Sequence, residues 1–403
     1  MKKKFILLLL LSIIINIINN NSFVYAKEDI ESEIDNKIDK LVDDAVSEMN
    51  NDPFIVVSLG DSYSSGEGVE PFYGQNIDIS ERINNHGLFL DWLAHRSQNS
   101  WPGQLKFNEV EGPLANYKDE NWYFMATSGA TTKNLNNPFT KFYNKDGVNG
   151  QEDIPRQLSV FENLEPNSVD YVTITIGGND VDFAKIITNC YTTPYFLHPH
   201  SLTDQLDKKW DELENSIGND IKQSYYDIAD SAGPQATILV AGYPTLINKN
   251  GSGLLISKNE ALQVNNKVSE FNDYIQNTVN ECKSNGLDIH FISVENAFKG
   301  YEAYTKHAYI NSLIFNFSTE DIEDPDSDDL STMASSYTMH PNEKGTQIYA
   351  KCVQKEIDKI EGIDYSLNLF EKMIEILKDF LHKIVSDLIE TLSQLLYKLI
   401  SQI

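Results

Sequence analysis

The chain has 403 residues, with 60 acidic and 32 basic side chains and a formal charge of −28. So acidic a chain has no general basic surface with which to grip nucleic acid or an anionic membrane. With 41% hydrophobic and 11% aromatic residues it can build a packed core, and three cysteines are too few for a disulfide-built miniature fold. Its length allows roughly two or three domains, or a single α/β domain with tails.

The N-terminus reads as a secretory signal. Lys2, Lys3 and Lys4 precede an apolar stretch from Phe5 to Ile18, and Val24-Tyr25-Ala26 offers a cleavage site after Ala26. An uncleaved anchor helix is the rival, but it would want a longer clean apolar run. Cleavage removes three lysines and takes the charge from −28 to −31. Residues 27–52 then carry Ile30, Ile34, Ile38, Leu41, Val42, Ala45, Val46 and Met49 at helical spacing. That helix either packs on the domain that follows or serves as a propeptide or partner helix.

From Pro53 to about Glu361, short apolar runs alternate with amphipathic segments. Strands are expected at Phe54–Leu59, Trp122–Met125, Val172–Ile176, Thr237–Val240 and Ile289–Val294. A helix is expected over Ala261–Cys282, where Ala261, Val264, Val268, Phe271, Ile275 and Val279 keep three-four spacing. Another follows His340-Pro341 and carries Ile348, Cys352 and Ile360. Pro71–Asn99 and Asn134–Pro155 read as inserted surface loops. Strands separated by helices imply parallel pairing with right-handed crossovers, hence an α/β/α sandwich around a mostly parallel sheet. No internal repeat is visible. Residues 362–403 form a second amphipathic helix, with Phe370, Leu377, Leu381, Ile384, Leu388, Leu392, Leu395 and Leu399 among its apolar positions. No run there is clean enough to span a bilayer. The stripe can pack on the domain, self-associate, or lie weakly in a membrane interface. A polar face poor in lysine and arginine favours the first two.

Polar clusters follow three of the strands, where an open parallel sheet places its sites. Gly60–Gly68 (Gly-Asp-Ser-Tyr-Ser-Ser-Gly-Glu-Gly) puts Ser62 at the mouth of the sheet. Ser128-Gly129-Ala130-Thr131-Thr132 and Gly177-Gly178-Asn179-Asp180 follow the next two. The Ser62 and Gly129 backbone N–H groups and the Asn179 side chain could converge on one oxygen, as the charge that builds in acyl transfer requires. His340, in the loop before the last helix of the domain, is the candidate general base.

The ordered set Ser62, Gly129, Asn179 and His340 resembles the four blocks of the GDSL/SGNH hydrolase superfamily. More locally the chain is similar to its secreted actinomycete-type esterase and lipase branch. That likeness is carried by Gly60–Gly68, Arg96-Ser97 with Trp101-Pro102, Ser128–Thr132, Gln157-Leu158, Gly177–Asp180 with Phe183, and Gly242-Tyr243-Pro244. The resemblance covers residues 53–361 and leaves out both flanking helices. It implies a flavodoxin-like fold, Ser62 as nucleophile, His340 as base, an oxyanion hole of Ser62, Gly129 and Asn179, no cofactor and no metal. The implied substrate is a lipid or other acyl ester. Many superfamily members carry Asp three residues before the histidine, where this chain has Tyr337. The resemblance then implies that the Tyr337 backbone carbonyl orients His340, with the acidic loop Asp321–Asp329 as the alternative source of an acid. The branch often has cysteines before the Arg-Ser pair and before Ser-Gly-Ala; here Ala94 or His95 and Thr127 take those places.

Cys190 matches a familiar cysteine position without an evident partner, and Cys282 and Cys352 read as small apolar residues on helix faces. An odd count leaves at least one free thiol. His198-Pro199-His200 lacks supporting metal ligands, and the acidic loop lacks EF-hand spacing. Two readings compete with an ester hydrolase acting on lipid-like substrates: a glycan O-deacetylase, and a non-catalytic surface-association module using the terminal helices.

Overall fold

The computed structural model describes residues 53–183, 202–251, 256–314 and 335–362, together with Lys383. The signal segment, both flanking helices, Cys190, His198, His200 and the acidic loop 321–329 lie outside the described residues. The chain divides into two units, Phe54–Ile360 and a second made of residues 1–53 and 361–403. The first is described here.

Seven strands are described: β1 (Val56–Gly60), β2 (Trp122–Phe124), β3 (Phe139–Lys145), β4 (Val148–Ile154), β5 (Tyr171–Thr175), β6 (Thr237–Ala241) and β7 (Ile289–Ile292). Five form one all-parallel sheet in the order β2-β1-β5-β6-β7. Every residue of β1, β5 and β6 is buried, as a sheet covered on both faces requires. The polar residues inside it are paired with one another. Trp122 Nε1 and Thr173 Oγ1 both donate to Ser58 Oγ at 2.8 Å, which removes the cost of burying them unpartnered.

Five helices matter for the site: α1 (Ser62–Ser65), α2 (His86–Leu93), α3 (Gly218–Ala232), α4 (Lys258–Ser284) and α5 (Glu343–Ile360). Helix α4 begins three residues before the apolar spacing does, because Ser257 and Glu260 form a capping box. Its buried positions are those the spacing predicts, with Asn272, Thr278 and Cys282 added. It packs beside α3, where Lys222 pairs with Glu281. On α5 the buried stripe is Tyr349, Val353 and Ile357, while Ile348, Cys352 and Ile360 are half-buried. Tyr349 stacks on Trp101 at 5.3 Å. Cys282 is buried, and both it and Cys352 are free thiols.

The two expected surface loops are more ordered than their composition suggests. Pro71–Asn99 contains α2, whose Phe89, Leu90 and Leu93 join Tyr143 and Ile154 in a small separate core. Asn134–Pro155 contains the antiparallel hairpin β3–β4, with Lys145 opposite Val148. The turn residues Asp146 (φ 53°) and Gly147 (φ 77°) both lie in the left-handed region. Asp-Gly between two strands is the standard signal for such a turn. The Asn, Gly and Lys content of the flanking sequence hides it.

Candidate active site

The connection from β1 runs outward to β2 while that from β5 runs the other way to β6, so the C-terminal ends of β1 and β5 form a topological switch point. Gly60 ends β1 with φ 120°, and a Cβ there would come within 2.2 Å of the Thr175 carbonyl oxygen. Only glycine lets the strand leave the sheet so closely against β5. The Gln157 side chain brackets this peptide. Its Nε2 donates to Gly60 O at 2.8 Å, and its Oε1 accepts from Gly60 N at 2.7 Å. Asp61 then caps α1 by accepting from the Tyr63 backbone N–H at 3.0 Å. Ser62 is the first residue of that helix.

Ser62 and His340 are each 6% exposed, and His340 Nε2 lies 2.7 Å from Ser62 Oγ. His340 Nδ1 lies 3.2 Å from the Thr338 carbonyl oxygen. A carbonyl only accepts, so this contact assigns the ring proton to Nδ1 and leaves Nε2 free to accept from the serine hydroxyl. The Tyr337 carbonyl expected at the ring is elsewhere: it accepts the His340 backbone N–H at 3.2 Å. Met339, in the left-handed region at φ 63°, turns the chain so that Thr338 faces the ring instead. Tyr63 Oη donates to the Met339 carbonyl at 2.8 Å, fastening the histidine turn to α1.

Asn179 lines the same pocket as Ser62 and His340. Its Nδ2 donates to the Ala130 carbonyl at 2.9 Å, which leaves one amide hydrogen. Gly129 is on the adjoining loop rather than in the pocket wall, with φ 83°. Among the described residues, neither the Ser62 nor the Gly129 backbone N–H has a protein acceptor. The two loops are braced by Thr132, whose backbone N–H and hydroxyl both reach the Asp180 carboxylate, the hydroxyl at 2.6 Å.

A second brace was not legible as such. Tyr243 Oη accepts from the Gly178 N–H at 2.9 Å and donates to Asp61 Oδ2 at 2.5 Å. Thr175 Oγ1 donates to Asp61 Oδ1 at 2.6 Å. Burial pushes the Asp61 carboxyl up to about 6, against the hydrogen bonds from Thr175, Tyr243 and Tyr63, and nearby Asp180 adds to the rise. Asp61, Gln157 and Tyr243 all lie inside the motifs quoted above, yet their partners are up to 182 residues away in sequence. Phe183, Tyr243, Leu246, Val268 and Met339 give the pocket an apolar wall. Leu246 and Val268 carry no sequence signal that separates them from ordinary core.

The chain is 24% identical over 258 residues to a lipase of Streptomyces rimosus, covering 64% of this chain and 76% of that one. It is 24% identical over 259 residues to Lipase 1 of Streptomyces coelicolor, covering 64% and 75%. Among solved structures it is similar to a phospholipase A1 from Streptomyces albidoflavus NA297, with TM-score 0.50 and 19% identity over 74% of this chain and 98% of that one. This structural likeness is one of fold. No family model matches the chain. Among the described residues no cluster of His, Cys, Asp or Glu could hold a metal ion, and no helix is long and apolar enough to cross a membrane.

Proposed function

We propose that the protein is an exported carboxylic-ester hydrolase of the GDSL/SGNH type that works through a serine acyl-enzyme. The observation that carries this reading is the buried contact between Ser62 Oγ and His340 Nε2, with His340 Nδ1 held on a carbonyl. His340 takes the hydroxyl proton as Ser62 attacks the ester carbonyl, then returns it to the leaving alcohol. The Ser62 and Gly129 N–H groups and the second amide hydrogen of Asn179 receive the oxyanion. Water, deprotonated by His340, releases the acid. The pair acts as a dyad, with Thr338 O in the orienting role, and no cofactor takes part.

The apolar wall of Phe183, Leu246, Val268 and Met339 supports an acyl chain longer than acetyl, hence a lipase or esterase over a glycan O-deacetylase. The two lipases it resembles support the same substrate class. Residues 1–26 act as the export signal in this reading, and residues 27–52 and 362–403 flank the hydrolase domain of residues 53–361. A fluorophosphonate probe tests the chemistry. It should label the wild type at Ser62 and leave Ser62→Ala unlabelled. p-Nitrophenyl esters of rising chain length should then show turnover above that of the acetate. A folded wild type that takes no label refutes the hydrolase; activity on acetate alone refutes the acyl-chain assignment.

A further inference from the structure

Glu67 has no part in the catalytic cycle, yet it is tied to two of the loops that build the site and lies near a third. Its side chain is fully buried. Oε2 lies 2.6 Å from His95 Nδ1, and Oε1 accepts from Ser336 Oγ at 2.7 Å. The Ser128 hydroxyl, on the residue before Gly129, is near enough to help hold the carboxyl down. Its backbone N–H donates to Ser62 O at 3.0 Å. The next residue, Gly68, lies against the histidine: a Cβ on Gly68 would stand 3.1 Å from His340 Cβ. Glu67 therefore ties the nucleophile turn to the histidine loop and lies near the loop that carries Gly129.

Burial alone would push this carboxyl up. The His95 charge and hydrogen bond, the nearby His340 and the Ser128 hydroxyl outweigh burial and hold it well below the usual carboxylate range. His95 is itself fixed, at φ 52° with its ring stacked on Phe72 at 4.7 Å. A plain reading makes Glu67 and His95 a buried ion pair that serves stability alone. The bond to Ser336, four residues before His340, points further.

We propose that Glu67 is a positioning residue for the Ser62–His340 pair: its buried carboxylate favours the positive imidazole formed when His340 takes the serine proton, and its bond to Ser336 with its backbone bond to Ser62 keeps the histidine loop in register with the nucleophile turn. The work of a triad acid is then divided. The Thr338 carbonyl fixes the ring, and Glu67 supplies the charge. This rests on the hydrolase reading above. Among the described residues, the other titratable groups around His340 include Asp61 and Tyr63 from the nucleophile turn, Tyr243 after β6, Tyr337 on the histidine loop, and His95 beyond Glu67. His95 offsets part of the Glu67 charge whenever it is protonated.

Glu67→Gln keeps the shape and an acceptor for Ser336 while removing the charge. It should lower kcat by on the order of tenfold with KM little changed. The acid limb of kcat/KM should move to lower pH by about half a unit or more, because the imidazolium loses a negative neighbour. A purely structural role would cut the active fraction without moving that limb. Wild-type kcat with an unmoved limb overturns the proposal. Should Glu67→Gln fail to fold, Ser336→Ala loosens the carboxylate and leaves its charge in place. It should lower kcat, and unchanged kcat overturns the proposal. An NMR titration of the His340 imidazole reads the charge effect without turnover. Fluorophosphonate labelling of the wild type separates a failed hydrolase reading from a failed role for Glu67.

Discussion

Asp61 allows a quantitative test of how the site is held together. Its carboxyl, 1% exposed, has been pushed from its ordinary 3.8 to about 6. A group whose folded value is raised binds its proton more tightly in the folded state. Folding therefore gains most below pH 3.8, and the gain disappears as pH rises through about 6. Each unit is worth about 1.4 kcal/mol. The full gap of about two units thus makes ionised Asp61 cost about 3 kcal/mol of stability at pH 8. Integrated from pH 4.5 to pH 8, the part lost in that window is about 2 kcal/mol. Asp61→Asn removes the titration. It also leaves the Tyr243 hydroxyl hydrogen without its acceptor, a cost of about 1–3 kcal/mol that does not vary with pH. Urea unfolding of wild type and variant, followed by tryptophan fluorescence across this range, isolates the pH-dependent part. The variant should gain about 2 kcal/mol on the wild type between pH 4.5 and pH 8, whatever its offset. A difference that stays flat with pH would refute the raised carboxyl, and with it the view that burial dominates its three hydrogen bonds.

Gln157→Ala removes both bonds to the Gly60 peptide and leaves the buried Gly60 N–H unpartnered. It should cost about 2–4 kcal/mol in urea unfolding, and kcat should fall because Gly60 leads directly into Asp61 and Ser62. Leu246→Trp should narrow the apolar wall. Turnover of long-chain p-nitrophenyl esters should drop by on the order of tenfold relative to the acetate, which serves as the internal control.

The sequence was most informative where physics is local. Fully buried parallel strands read as continuous apolar runs, so β1, β5 and β6 were legible to within two residues at each end, as was the partly buried edge strand β7, and the three-four spacing of α4 gave its core face. Glycines at strand ends marked the loops that carry Ser62, Gly129 and Asn179. What escaped was whatever depends on distant partners. Tyr243 gave no sign that its hydroxyl joins Gly178 to Asp61, and Leu246 and Val268 look like any other core residue. The histidine turn escaped for a different reason. Counting back from His340 selects Tyr337, but the left-handed Met339 reverses the chain and brings Thr338 to the ring. A non-glycine residue in that conformation is set by tertiary contacts, here the Tyr63 hydroxyl on the Met339 carbonyl, and composition does not reveal it.

The loop that carries Gly129 has a related history. Where the resembled branch often has cysteines before the Arg-Ser pair and before Ser-Gly-Ala, this chain has Ala94 or His95 and Thr127, and no such bridge can form. In its place Ser128 N–H donates to the Ala94 carbonyl at 3.0 Å. The buried Arg96 guanidinium donates to the Ala126 and Met125 carbonyls at 3.0 Å and to Asp91 Oδ1 at 2.7 Å. Lys118 reaches the other Asp91 oxygen at 2.8 Å and pairs with Asp119 as well, so the four charges of the network balance. A disulfide stabilises chiefly by restricting the unfolded chain, whereas this bracket acts only once the loops have met. Its strength comes from charge-assisted bonds to buried carbonyls, and these do not respond to the redox poise of the surroundings. The loop that carries Gly129 is therefore held the same way in the presence or absence of an oxidant, in a domain whose Cys282 and Cys352 are also free thiols.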